Sequence, residues 1–106
     1  ELRPKIDLPQ ITRVWQNYPN PFNPETWIPY QLHQVSEVRL QIYDIKGQLI
    51  RTLELGQVEP GVYTDTPTAI HWDGKTEMGE TVASGTYFYA LTTDNYTQTR
   101  KMIILK

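Results

Sequence analysis

Polar and apolar residues alternate one for one from Glu37 to Ile42, so an extended chain there puts Val38, Leu40 and Ile42 on one face. Ile45-Lys46-Gly47-Gln48 then supplies a turn in which Gly47 is free to take a positive φ, and residues 49–55 read as the return strand of a hairpin. Period-two alternation also begins at Thr26, before this hairpin. After it come short candidate strands at 61–64 and 68–72, then an aromatic and β-branched run at 86–92. Residues 97–105 alternate at first and become continuously apolar over 102–105. Gly, Pro, Asn and Asp separate these runs at intervals of roughly ten residues, the spacing of a two-sheet antiparallel sandwich. The pattern predicts an all-β chain of six to seven strands, each burying one face against the opposite sheet. The expected core is Val38, Leu40, Ile42, Leu49, Trp72, Tyr87, Tyr89, Leu91, Met102 and Ile104.

Ahead of the first alternating run stand Asn17, Tyr18, Pro19, Asn20, Pro21, Phe22, Asn23 and Pro24. Proline fixes φ and removes a backbone donor, and Asn favours turns, so this segment is neither helix nor central strand. Tyr18 and Phe22 are large apolar anchors that a flexible linker does not need. The segment reads as a rigid strap pinned to a sheet edge. Residues 1–15, with prolines and no sustained period, read as a linker from an upstream domain, and 16–106 as one module.

The chain has 106 residues, enough for a core without staples, and its aromatics favour Tyr (7) and Trp (3) over Phe (2), which suits half-buried strands. There is no cysteine, so disulfide and thiolate chemistry are excluded. A net charge of −2 argues against a nucleic-acid partner. Six acids, Glu54, Glu59, Asp65, Asp73, Glu77 and Glu80, face Lys75 alone between residues 54 and 80, while the last seven residues carry Arg100, Lys101 and Lys106 without an acid.

Candidate chemistry is sparse. His33 and His71 are the two histidines and no phosphate-binding loop occurs, so the reading is of a non-enzyme with no cofactor. A calcium loop opening at Asp73 has Lys75 at its second ligand position, and a site assembled from Asp65, Asp73 and Glu77 is a poor competitor to a plain turn. Trp15, Trp27 and Tyr30 suggest an alternative, a row of rings for a surface polysaccharide, against the ordinary fate of such rings as core or edge cover.

The residues Gln16 to Thr26, Ile28, Tyr30, Ile42-Tyr43-Asp44, Gly47, Arg51-Thr52-Leu53, Gly61, Trp72-Asp73-Gly74, Gly79, then residues 82–89 with Gly85, and Thr99-Arg100-Lys101-Met102 to Lys106 carry a resemblance. The chain resembles the C-terminal sorting domain of type IX secretion cargo and, mainly from Trp72 to Tyr89, the immunoglobulin-like domain of flagellar hook-capping proteins. The resemblance implies an immunoglobulin/fibronectin III-like sandwich that carries a larger protein, its upstream passenger domain, through the periplasm to the outer-membrane secretion machinery. It would then be secreted or held at the cell surface. It assigns partner recognition to Thr99, Arg100, Lys101, Met102, Ile103, Ile104, Leu105 and Lys106, a final strand free to pair with a partner through its main chain. Trp27 and Pro29 depart from the family pattern, which implies a first strand that is irregular or protected at its edge.

Overall fold

The structure, a computed structural model, describes residues 8–106. Its strands are β1 (Arg13–Val14), β2 (Thr26–Ile28), β3 (Tyr30–Leu32), β4 (Ser36–Tyr43), β5 (Leu49–Val58), β6 (Gly61–Tyr63), β7 (Ile70–Trp72), β8 (Gly85–Thr93) and β9 (Tyr96–Ile104). One layer is a four-stranded antiparallel sheet in the order β5-β4-β8-β9, and the other is assembled from β1-β3-β6 and β2-β7. The expected six to seven strands appear as nine among the described residues, and two features account for the excess. Pro29 has no N–H to continue a ladder, so the first strand breaks there: Thr26–Ile28 pair with β7, and Tyr30–Leu32 pair with β1 and β6. The second feature is β1, which lies within the stretch expected to be linker. Residues 1–7 of that stretch lie outside the described residues, but Val14 pairs with Tyr30 and is buried in the core.

Alternation in β4, β8 and β9 places Val38, Leu40, Ile42, Tyr87, Tyr89, Leu91, Met102 and Ile104 between the layers, with Trp72 from β7. Leu49 is the exception among the expected core residues, 50% exposed. A bulge is the cause. Ile42 pairs with Arg51 but Tyr43 pairs with Leu49, so Ile50 is an extra residue that flips the phase of the strand. Ile50 packs against the core in its place, and Leu49 turns to solvent. At a second bulge, between Val38 and Arg39, Leu55 is the extra residue, next to Gly56 at φ 73°.

The small layer fills its side of the core with Val14, Ile28, Tyr30, Leu32 and Ile70. Tyr30 therefore leaves the row of surface rings expected from the sequence, and its ring stacks on Tyr63 at 5.0 Å. The free edge of β5 is partly closed by the loop that follows Trp72. Glu77 N–H donates to Ile50 O at 3.0 Å, and its carboxylate accepts the Thr52 N–H at 2.8 Å. Arg51 donates to Lys75 O at 2.9 Å and to Asp73 at 3.3 Å. Asp73 and Glu77 are thereby committed to strand and turn contacts and share Arg51 as their cation, while Asp65, the third carboxylate weighed as a calcium ligand, accepts the Thr68 hydroxyl.

Gly74 has φ 78°, and a Cβ built on it would collide with the carbonyl oxygen of Pro24 in the strap. Gly47 has a similar φ, 83°, but open space around it. Gly74→Ala should therefore lower stability by at least about 2 kcal/mol, and Gly47→Ala by about 1 kcal/mol, the cost of left-handed backbone alone. Urea unfolding of both variants checks this; equal losses would remove the strap contact from the account.

Candidate functional site

Three separated motifs meet at Phe22. Its N–H donates to Ile103 O at 3.0 Å, its carbonyl accepts the Leu105 N–H at 3.1 Å, and its ring lies 5.7 Å from that of Trp72. The strap, the Trp72-Asp73-Gly74 turn and the final strand are thus one locus. Gly85, paired with Ile104 at φ 151°, completes the same end of the sheet. Trp72 is itself fixed from both sides: its indole N–H donates to Lys75 O at 3.0 Å, and its ring meets the edge of Tyr87 at 6.2 Å.

The strap runs first along the small layer and then crosses to β9. Tyr18 exchanges two backbone hydrogen bonds with Trp27, each 2.8 Å, and Trp15 N–H donates to Pro29 O at 2.9 Å. The peptide bonds before Pro19, Pro21 and Pro24 are cis. Beyond Pro19 the strap lies along the outer edge of β9. Asn20 accepts the Ile103 N–H at 3.0 Å, and the Gln16 amide donates to Lys101 O at 2.8 Å. A polar group of Asn17 anchors the crossing. The Asn17 N–H donates to the Tyr89 hydroxyl at 2.9 Å, which in turn donates to Trp15 O at 2.8 Å. The Asn17 amide donates to Thr26 Oγ1 at 3.0 Å, and the Thr26 hydroxyl donates to Pro19 O at 3.1 Å. Asn17 is 2% exposed, so these contacts replace water that it has lost.

This arrangement corrects the expected mode of recognition. A partner strand cannot pair with β9 over 101–105, because Lys101 O, Ile103 N–H and O, and Leu105 N–H already bond to the strap. Met102 and Ile104 are core residues, and the Arg100 guanidinium donates to Val14 O at 2.9 Å. The same Val14 donates its N–H to the Tyr96 hydroxyl at 3.3 Å, so two β9 side chains cap the edge of β1. From the assigned set, Thr99, Lys101, Leu105 and Lys106 present exposed side chains, with Ile103 half-buried. Asn20, Pro21 and Asn23 are exposed on the strap beside them.

Gln16, Thr26, Tyr89, Arg100 and Tyr96 hold this locus together, a structural part that sequence reasoning did not give them. The alternation pattern marks Tyr89 as inward-facing but carries no signal of where its hydroxyl will end. The surface rings are also engaged. Trp27 stands between Tyr18, 6.3 Å away, and His71, 5.2 Å away, while the Arg13 guanidinium covers Trp15 at 4.7 Å. Each of these rings packs on a neighbour, and Trp15, Tyr18 and Trp27 are half-buried. His71 also pairs with Glu25 at 3.0 Å, and His33 with Thr12 at 3.0 Å.

Residues 23–96 match the family described as the FlgD Ig-like domain. The matched stretch begins within the strap and ends at the start of β9. The basal-body rod modification protein FlgD of Salmonella typhimurium is 42% identical over 59 residues, 56% of this chain and 23% of that protein. The chain thus spans 23% of the length of the curated relatives it matches. Among solved structures, dimeric latent PorU from Porphyromonas gingivalis superposes with a TM-score of 0.68 at 20% identity, over 92% of this chain and 9% of PorU. PorZ, described as a surface component of the type IX secretion system of the same organism, gives 0.54 at 22% identity, over 90% of this chain and 11% of PorZ. At these identities the likeness to PorU and PorZ is one of fold.

Asn17→Ala should cost about 2–4 kcal/mol, because it removes buried hydrogen bonds and leaves Thr26 short of a partner. Urea unfolding measures it, and a loss below about 0.5 kcal/mol would mean that the strap is not held through this group. A second outcome concerns alkaline pH. Burial pushes the Tyr89 hydroxyl up to about 12, against the Asn17 N–H and the Arg100 charge, which both favour the phenolate. Burial, with Tyr63 nearby, also pushes Tyr30 up to about 12. With folded values above the ordinary 10.0, their contribution to stability is complete below pH 10 and is lost as pH rises towards 12. The urea midpoint should fall across that window, and Tyr89→Phe should flatten the fall; a flat profile in the native protein would contradict it.

Proposed function

Because the chain belongs to the FlgD Ig-like domain family, we propose that it is a non-catalytic interaction module, one that directs a larger protein to outer-membrane secretion machinery and the cell surface. The observation that carries this reading is the presentation of the C-terminal tail. Lys101, Leu105 and Lys106 are exposed on a segment whose backbone the strap holds as far as Leu105 and the Ser84 hydroxyl holds at Lys106. Two cations beside an apolar side chain on a placed backbone form a recognition feature whose ordering cost on binding falls on the side chains and not on the chain. The motif resemblance from Gln16 to Lys106 supports the sorting assignment, and the fold shared with PorZ is in keeping with it. The outer-membrane machinery is then the partner, and the module travels through the periplasm with its passenger. The alternative is a structural accessory role without a sorting partner, which the family name FlgD also accommodates.

The structure dictates how the two are separated. Deleting 102–106 would remove Met102 and Ile104 from the core, so a failure of export would report unfolding as readily as lost recognition. The paired charge reversal Lys101→Glu with Lys106→Glu changes only exposed side chains. Fused to a reporter in a bacterium with type IX secretion, the native module should bring the reporter to the surface. The reversed pair should cut surface reporter at least about tenfold, as expected when two rim charges are turned repulsive, with its unfolding midpoint unchanged. Native levels of surface reporter from the reversed pair would leave the structural role.

A further inference from the structure

The ladder register of the four-stranded sheet carries information about its outer face, the face turned away from the small layer. Tyr43 pairs with Leu49 on one side and with Phe88 on the other, and Phe88 pairs with Lys101. Residues in register share a face, and buried Ile42, Tyr87, Tyr89 and Met102 alternate with these on the inner face. Leu49, Tyr43, Phe88 and Lys101 therefore form one row across all four strands. Ile103 stands two residues beyond Lys101 on the same face. Ile45, 71% exposed, projects from the turn that joins β4 to β5 at this end.

The rest of the outer face is different. The next row is Thr52, Gln41, Ala90 and Thr99, and the row after it is Glu54, Arg39, Thr92 and Thr97. Apolar character is thus confined to the end of the sheet that also bears the tail. Three lysines are gathered there too: Lys46 in the turn, Lys101 in the row, and Lys106 just past β9, whereas Arg39 in the far row pairs with Glu54 at 3.7 Å. Asp44, the acid of the turn, is occupied by the N–H groups of Lys46 and Gln48, both at 2.9 Å.

From this placement we infer that the partner of the tail docks flat on the outer sheet face, covering the Leu49–Tyr43–Phe88 row and Ile45, rather than adding a strand to β9. The inference rests on the sorting reading and gives its site a shape and a chemistry. The edge over 101–105 is closed by the strap, so main-chain pairing is not available, while the adjoining face is open and apolar. The complementary surface is a protein with an apolar centre and an acidic rim, set to meet Lys46, Lys101 and Lys106. Leu105, 59% exposed and two residues beyond Ile103, adds an apolar side chain at the tail.

The test is the same reporter fusion, with Ile45→Asp and Leu49→Asp combined, which leaves the strap and the tail charges intact. Both side chains are at least half exposed, so the fold tolerates the change, and an unaltered unfolding midpoint verifies it. Surface reporter should fall at least about tenfold, the scale of a buried apolar contact turned to charge. Native export from this variant while the Lys101/Lys106 reversal blocks export would overturn the face docking and leave the tail reading standing. Native export from both would remove the sorting reading itself. Two further measurements on the isolated module decide against other occupants. A dimer in sedimentation that Leu49→Asp dissociates would assign the face to a second copy and overturn the inference. So would flotation with phosphatidylglycerol vesicles that Ile45→Asp abolishes.

Discussion

The side chain of Asn17 sits where the two sheets come together, and its hydrogen bonds tie the strap to β2 through Thr26 while its N–H ties it to β8 through Tyr89. The group is worth this much because it is dry. A buried amide without partners costs several times what one satisfied hydrogen bond contributes, so the strap must lie where both Tyr89 and Thr26 can reach it. That position fixes the next residues: Asn20 and Phe22 arrive at the outer edge of β9, and the Phe22 ring arrives against Trp72. One short polar network therefore decides which edge of the sandwich is closed.

Closing that edge has consequences for function. An unpaired final strand invites pairing with any other chain, a hazard that natural sheets cover or charge. Here the strap covers β9 over 101–105, Tyr96 and Arg100 cap β1, and the loop at Glu77 covers part of β5. On the proposed reading, with the tail's edge taken over 101–105, recognition passes from backbone to side chains. Lys101, Leu105 and Lys106 are held on a rigid frame, and the apolar row beside them is continuous with that frame. Main-chain pairing would read strand shape alone, whereas a face of this kind reads charge and shape together.

The two bulges show how small local changes place these surfaces. Ile50, inserted opposite Ile42 and Tyr43, sends Leu49 outward and so extends the apolar row to the edge strand. It also leaves the Ile50 carbonyl free to accept the Glu77 N–H. The same extra residue thus shapes the outer face and anchors the loop that shields the strand.

Alternation in the chain was enough to specify the sandwich, because period-two burial is a local property: Val38, Leu40 and Ile42 need no distant partner to declare their face. The strap was legible for a similar reason, since three prolines and three asparagines within nine residues exclude regular structure. The resemblance of motifs pointed to the right family of fold. What the chain alone left open was every pairing at long range. The break at Pro29, the phase flip at Ile50 and the membership of Val14 in the core depend on which strands lie side by side. The tail looked free because its sequence is that of an edge strand. Its edge is occupied because Asn20 and Phe22, more than 80 residues earlier, are held against Ile103, and a contact at that separation has no signature in local periodicity.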